Sequence, residues 1–167
     1  MVLQLTKPVG AKGVDMSIRI EIDNKGAYKR TFKKGTIKRA MKRGMNTLGE
    51  EMVVYTQKKM DASTKGYSEY HYQGLGWVKS SYPGAYPAVQ TGYLKGSVSS
   101  RDAGTNIVIF EATAPYAADV EGGNTWRSEF MSTRIAPRPF MSATDAKFST
   151  WKRKKILRNE VSKVWGY

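Results

Sequence analysis

The amino-acid sequence predicts a single α+β domain, because strand-like and helix-like spacings of apolar residues occupy separate stretches of one chain. The 167 residues are about the length of one domain. Apolar residues make up 40% of them, which is enough for a hydrophobic core, and the lack of cysteine excludes disulfides and Cys-ligated metal sites. We therefore expect residues 1–167 to fold around one core.

The clearest strand signal lies between Val14 and Ile22, where apolar and polar residues alternate. A period of two is typical of a strand with one buried and one wet face. Residues 93–101 alternate in the same way, and residues 106–112 are apolar on both faces, as in a central strand. The turn residues 102–105 between these two segments predict an antiparallel hairpin.

A long helix is predicted from Thr36 to about Met60. Apolar residues recur there at steps of three and four, the spacing of one helix face, at Ile37, Met41, Met45, Leu48, Met52 and Tyr55. The Thr36 hydroxyl is a suitable N-cap acceptor at the start of this helix. Residues 142–165 predict a C-terminal helix, and residues 115–121 predict either a short edge strand or a turn of helix.

The segment from about residue 62 to residue 92 has a different composition. Glycine and proline are interleaved there with aromatic residues, namely Tyr67, Tyr70, Tyr72, Trp77, Tyr82 and Tyr86. Loops of this length inside compact domains are uncommon and usually functional or disordered, and this one is too aromatic for ordinary disorder. We therefore expect an extended loop or arm that becomes buried against something else.

The charge balance points to an anionic partner. The chain has 28 Lys and Arg against 14 Asp and Glu, a net charge of +14. Two basic sets are nearly free of acids, and we interpret them as partner-facing: Lys33, Lys34, Lys38, Arg39, Lys42, Arg43, Lys152, Arg153, Lys154, Lys155 and Arg158. They are suited to neutralising phosphates without sequence preference or to meeting an acidic protein face, although a solvated surface is the plainer interpretation.

Candidate catalytic residues are few. His71 is the single histidine, and Asp119 and Glu121 would share a face if their segment were extended. A solvated or stacked loop histidine is the better interpretation of His71, and a subunit contact is the better interpretation of the two carboxylates. The sequence contains no phosphate-binding loop motif. No apolar stretch approaches the roughly 20 residues that span a bilayer, and no basic leader precedes an apolar core. We expect a non-enzyme without cofactor or metal, and no membrane partner.

Three short motifs follow one another in the second half of the chain. They are Thr91-Gly-Tyr-Leu-Lys-Gly-Ser97, Pro115-Tyr-Ala-Ala-Asp-Val-Glu-Gly-Gly123 and Pro137-Arg-Pro-Phe-Met-Ser-Ala143. In this order, behind a long amphipathic helix, the chain resembles the head–tail joining proteins of tailed bacteriophages, the tail-completion or minor-tail-protein-Z-like group. That family typically shows Thr-Gly-x-Leu-x-x-Ser, Tyr-Ala-x-x-Val-Glu-x-Gly and Arg-Pro-Phe.

The resemblance implies a small, mainly antiparallel sheet packed by the long helix, with a C-terminal helix. It further implies a ring of subunits, expected to be a hexamer, in the neck of the virion, assembled in the host cytoplasm. The expected neighbours are a connector or stopper above and a tail terminator or tube below, with DNA in the channel as a possible non-specific partner. No catalysis and no small-molecule substrate are implied.

The residues that the resemblance places in the family motifs or at the interface are Thr91, Gly92, Leu94, Ser97, Tyr116, Ala117, Val120, Glu121, Gly123, Arg138, Pro139 and Phe140. Among them, Tyr116, Glu121 and Arg138 have the residue types of an interface, where aromatics and arginine are enriched. Two alternatives stay open. One is a non-sequence-specific nucleic-acid-binding protein whose tyrosines stack on bases. The other is an enzyme that uses His71 or the pair Asp119 and Glu121.

Overall fold

A computed structural model describes residues 3–4, 16–21, 34–63, 65–72, 76–127 and 132–163 of the chain. The elements in chain order are β1 (Leu3–Gln4), β2 (Met16–Glu21), α1 (Lys34–Asp61), β3 (Lys65–Tyr72), β4 (Gly76–Ser81), α2 (Tyr93–Ser97), β5 (Val98–Gly104), β6 (Ile107–Ala112), α3 (Ala117–Gly122), β7 (Asn124–Arg127), β8 (Ser132–Ile135), α4 (Met141–Lys147) and α5 (Thr150–Ser162). The predicted α+β class is confirmed.

The main sheet has four strands in the order β1-β2-β6-β5, and every pairing in it is antiparallel. The strand predicted around Val14–Ile22 is β2, and the predicted central strand is β6, which lies between β2 and β5. Along β6 the burial alternates: Val108, Phe110 and Ala112 are buried, while the intervening residues are partly exposed. One face of β6 therefore contributes to the core, and the other is only half-covered.

Helix α1 packs on this sheet along the face that its apolar spacing predicts. Met45, Leu48 and Met52 are buried in the same cluster as Phe110 of β6. The helix begins at Lys34, so the predicted N-cap Thr36 lies inside the first turn and that prediction is wrong. Gly49 permits the close approach, because a Cβ at this position would lie 2.8 Å from Val108 Cγ2.

The predicted C-terminal helix is two helices, α4 and α5. The break falls at Phe148, whose φ of −87° and ψ of 58° leave the helical region. The Phe148 ring is buried and meets the Tyr55 ring of α1 edge-on, with the centroids 5.7 Å apart. The break between α4 and α5 thus coincides with the packing of this ring against α1. Helix α5 ends at Ser162 and also packs on α1; residues 164–165 of the predicted helix lie outside the described residues.

Residues 93–97, predicted as the start of a strand, form the short helix α2. Gly92 precedes it with a φ of +82°, a left-handed conformation that favours glycine. The backbone N–H of Gly96 donates to the Gly92 carbonyl at 2.8 Å, and the Ser97 hydroxyl donates to the Leu94 carbonyl at 2.8 Å. These local bonds favour a helical turn over the predicted strand, whose alternation is short and includes Gly96 at one of its apolar positions.

The predicted arm, residues 62–92, contains a hairpin followed by a return segment. Strands β3 and β4 pair antiparallel, with His71 opposite Trp77. Beyond β4 the chain folds back on the core, where Pro87 is buried. The Tyr86 hydroxyl lies 3.2 Å from Thr144 Oγ1, and burial raises the pKa of this phenol. Part of the expected arm is thus buried within its own chain.

A second hairpin, formed by β7 and β8, follows α3. Among the described elements, neither hairpin pairs with the main sheet, and each of the four hairpin strands is in contact chiefly with its own partner strand.

The contact at Gly49 generates a prediction about stability. In Gly49→Ala the new methyl group collides with Val108 Cγ2 and, at 2.9 Å, with Ser100 Cβ, so α1 must move away from the sheet. We expect the free energy of unfolding, measured by urea denaturation, to fall by about 2 kcal/mol despite the better helix propensity of alanine. Gly35→Ala is the matched control, because nothing lies within 4 Å of the point that a Cβ would occupy there. It should leave stability unchanged or raise it, and equal losses in both variants would contradict the packing described here.

Candidate functional site

The second and third motifs, 115–123 and 137–143, meet in the fold. The backbone N–H of Arg138 donates to the Val120 carbonyl at 2.7 Å. The Glu121 carboxylate accepts three backbone N–H groups at the start of α4, from Phe140 at 2.6 Å, Met141 at 3.0 Å and Ser142 at 2.9 Å. The first N–H groups of a helix lack intrahelical partners and favour an anion. Glu121 therefore caps α4 and ties it to α3.

Arg138 joins the two hairpins where they return to the fold. Its Nε donates to the Ser81 carbonyl at 3.1 Å and to Ser81 Oγ at 3.0 Å, at the end of β4. Its Nη2 reaches Ser80 Oγ at 3.2 Å, and its Nη1 donates to the Ala136 carbonyl, just after β8, at 2.9 Å. The Pro137 carbonyl accepts the backbone N–H of Gly84 at 2.8 Å. We call Arg138, Ser80, Ser81, Ala136 and Pro137 the hairpin base. The Arg138 guanidinium thus links the end of β4 to the residue that follows β8.

The predicted pairing of Asp119 with Glu121 is wrong. It required an extended segment, whereas both residues lie in helix α3. Side chains two residues apart on a helix do not face each other. Both Glu121 oxygens accept backbone N–H groups at the start of α4. This carboxylate therefore has a structural role and does not pair with Asp119.

His71 lies on β3 of the first hairpin, opposite Trp77. Within the described ranges, no group of three or more His, Asp or Glu residues is placed to hold a metal ion. The alternative of an enzyme based on His71 stays a hypothesis.

The first motif serves mainly the local fold and also exposes one aromatic ring. Thr91 Oγ1 accepts the backbone N–H of Tyr93 at 3.2 Å, and Leu94 packs against the core. Tyr93 itself is 58% exposed and lies beside Tyr116 of the second motif, which is 40% exposed, with ring centroids 6.1 Å apart. Tyr116 is among the residues predicted for the interface, whereas Tyr93 is not, although Tyr93 occupies the variable position of the Thr-Gly-x-Leu motif.

The remaining motif residues lie inside the fold or at its turns. Ala117 and Phe140 are fully buried, Val120 packs on the core, and Pro139 is half-buried. Gly123 ends α3 with a φ of +71°. Together with Glu121 and Arg138, these positions link segments of one chain, so most of the motif has an intramolecular structural role.

The basic residues of α1 are exposed where the structure describes them. Lys38, Arg39, Lys42 and Arg43 all lie on the surface. Lys42 Nζ is 2.6 Å from Asp102 Oδ2, and this contact, with the backbone N–H of Gly104, lowers the pKa of the Asp102 carboxyl. Lys33 lies outside the described residues. Lys34 is the first residue of α1.

The basic run 152–155 is divided by the helical period of α5. Lys152 Nζ lies 3.7 Å from the centroid of the Phe148 ring and 3.9 Å from Glu51 Oε2. Arg153 is only 2% exposed and pairs with Asp145 of α4, so its prediction as a partner-facing residue is wrong. A step of about 100° per residue places position 153 on the buried face with Ile156 and Leu157. Lys154 and Lys155 are exposed.

A shallow groove of about 420 Å³ lies between α1 and the start of α5. Its lining combines acidic, basic and apolar side chains: Thr47, Glu50, Glu51, Val54, Tyr55, Lys58, Phe148 and Lys152. The exposed stripe of α5 that carries Lys154 and Lys155 lies outside this groove.

Comparison of the chain with models of protein families, with curated proteins and with solved structures finds no match. Within the described part of the chain, no helix combines the length and the apolar composition needed to cross a bilayer.

The capping role of Glu121 can be tested by substitution. Glu121→Ala removes the acceptor of three N–H groups, and we expect the free energy of unfolding to fall by about 2–3 kcal/mol. Glu121→Gln keeps one carbonyl acceptor without the charge and should cost about 1 kcal/mol. Glu50→Ala, at an exposed position of α1, is the control and should stay within about 0.5 kcal/mol of the wild type. A Glu121→Ala variant as stable as the control would exclude this role. Chemical denaturation measures all three.

Proposed function

We propose that the chain is a structural protein of a tailed-phage virion, a ring-forming tail-completion subunit that joins the DNA-filled head to the tail. The observation that carries the proposal is the hairpin β3–β4, whose strands pair with each other and, among the described elements, with no strand of the main sheet. A two-stranded hairpin alone is marginally stable in water, and more strands or a packed partner are needed. A neighbouring copy or virion component supplies that partner.

The composition of this hairpin favours burial against another chain. It contains Tyr67, Tyr70, Tyr72 and Trp77 within 11 positions of the sequence. Tyrosine and tryptophan are enriched at protein interfaces, where they contribute much of the binding energy. Arg138 binds the end of β4, so the hairpin would reach a neighbour from an anchored base.

The spatial order of the motifs also supports the proposal. The first motif touches the second through Tyr93 and Tyr116, and the second touches the third through Glu121 and Phe140. Three short patterns that are dispersed in the sequence thus form one connected region. The exposed rings of Tyr93 and Tyr116 provide a second surface for contacts between subunits.

Ring formation depends on the hairpin in this proposal. We expect the purified chain, alone or with the adjacent neck components, to form a closed ring of fixed mass. Replacing Tyr67, Tyr70, Tyr72 and Trp77 by threonine keeps strand propensity and removes the aromatic contacts, so the dissociation constant should rise at least about 100-fold. Mass photometry and analytical ultracentrifugation measure the assembly.

The matched control for this experiment is Trp151→Thr, which removes an exposed aromatic side chain from α5 and leaves the hairpin intact. It should assemble like the wild type. Denaturation curves that coincide for the two variants would show that the core is unaffected. A wild-type chain that remains monomeric with its neck components, or a hairpin variant that assembles normally, contradicts the assignment.

The neck function itself is tested in the phage. Loss of the protein should leave filled heads and separate tails, because the joint between them is missing, and electron microscopy of the lysate distinguishes these particles. The wild-type gene supplied from a plasmid should restore joined, infectious particles. Fully joined and infectious particles without the protein would falsify the proposal.

A further inference from the structure

The outer face of α5 combines one exposed aromatic ring with exposed cations. Trp151 is 70% exposed, and Lys154, Lys155 and Arg158 are exposed beside it. Their spacing of three and four residues places them on one stripe of the helix. We call these four residues the α5 stripe.

Packing of the opposite side directs this stripe outward. Ile156 and Leu157 are buried, and Leu157 lies beside Gly44 of α1, where an added Cβ would be 2.9 Å from Leu157 Cδ2. The apolar face of α5 is thus occupied by α1. The stripe is the face that remains available to a partner.

The stripe is positive without local compensation. Within the described part of the chain, Lys154, Lys155 and Arg158 make no ion pair, and the stripe includes no acidic residue. The acidic residue of α5, Glu160, pairs instead with Lys163. Lys155 Nζ lies 5.2 Å from the centroid of the Trp151 ring, so cation and ring are presented together. This charge distribution is complementary to a polyanion.

The chemistry of the stripe distinguishes between classes of polyanion. A membrane-surface helix inserts its apolar face, but Ile156 and Leu157 of α5 are buried. The centre of a protein interface is depleted of lysine, whereas two lysines lie at the centre of this stripe. Single-stranded nucleic acid is bound by aromatic rings that stack on bases, next to cations that follow the phosphates. This combination matches the stripe.

We propose that the α5 stripe is a binding surface for single-stranded nucleic acid, in which Trp151 stacks on a base and Lys154, Lys155 and Arg158 neutralise phosphates. From Trp151 to Arg158 the helix rises about 10 Å, room for about three nucleotides. Binding is a property of the isolated chain and does not depend on the proposed ring or on its place in a virion.

The first test is the salt dependence of binding by the purified full-length chain. Fluorescence anisotropy with a labelled oligothymidylate measures the affinity, and K154Q/K155Q/R158Q is the test variant. The charge-matched control is K38Q/R39Q/R43Q, which removes three exposed cations from α1. At about 0.1 M salt the α5 variant should bind about 100-fold more weakly, with a salt slope shallower by about 2, because three phosphate contacts are lost. The α1 control should change the affinity by less than about fivefold.

The second test separates stacking from charge. Trp151→Ala should weaken binding to the single strand about tenfold and leave binding to a duplex of equal length unchanged, because paired bases are not free to stack on the ring. Trp151→Phe keeps an aromatic platform and should restore most of the single-strand affinity. Trp151 is exposed, so none of these variants should lower the thermal midpoint.

Three results would overturn the proposal. Equal losses in the α5 and α1 variants would mean that net charge alone attracts the oligonucleotide. An unchanged single-strand affinity in Trp151→Ala would show that Trp151 does not stack on a base. Binding to vesicles of phosphatidylserine and phosphatidylcholine that requires the stripe, with no binding to the oligonucleotide, would assign the surface to membranes. Ring formation is scored separately by mass photometry, so failure of this proposal and failure of the neck assignment are distinguishable.

Discussion

The carboxylate of Glu121 at the start of α4 is the contact on which the arrangement of the second half of the chain depends. It collects three N–H groups that a helix leaves without partners. This contact fixes α3 against α4, and the hairpin β7–β8 lies between those two helices in the sequence. The backbone bond from Arg138 to Val120 closes the same region, which places the guanidinium where it reaches the end of β4.

The hairpin base would help the proposed ring to assemble, because it holds the two hairpins in a defined position. A strand pair anchored at one point by several charge-assisted hydrogen bonds is presented to a neighbour in a defined position, which lowers the ordering cost of assembly. Arg138 provides such an anchor for both hairpins through Ser80, Ser81 and Ala136. In the proposed assembly Arg138 would act through the position of the hairpins, without touching a neighbouring subunit itself.

The cationic side chains that make up the large positive charge have different roles, which their number alone does not reveal. Arg153 is buried and joins α4 to α5 through Asp145. Its Nε and Nη1 have no hydrogen-bond partner among the residues that the structure describes. Because burying a charge costs desolvation free energy, this ion pair need not stabilise the fold. Lys42 pairs with Asp102 at the surface, where such bonds contribute little. Lys154, Lys155 and Arg158 are exposed and make no ion pair among the described residues, and they differ from the exposed cations of α1 in lying beside the Trp151 ring.

The sequence by itself determined the elements whose periodicity is long and regular. The alternation around Ile18 and Ile20 predicted β2, and the apolar steps from Met41 to Met52 predicted α1 and its buried face, because a repeated spacing defines both the conformation and the side that packs. The helical form of residues 93–97 rests on local bonds and on the left-handed Gly92, which a short alternation concealed. Only the tertiary structure decided the break at Phe148, the burial of Arg153 and the capping role of Glu121. Each of these depends on a packed ring, an ion pair or a hydrogen bond to another segment, and no local pattern in a single sequence specifies which distant groups will meet.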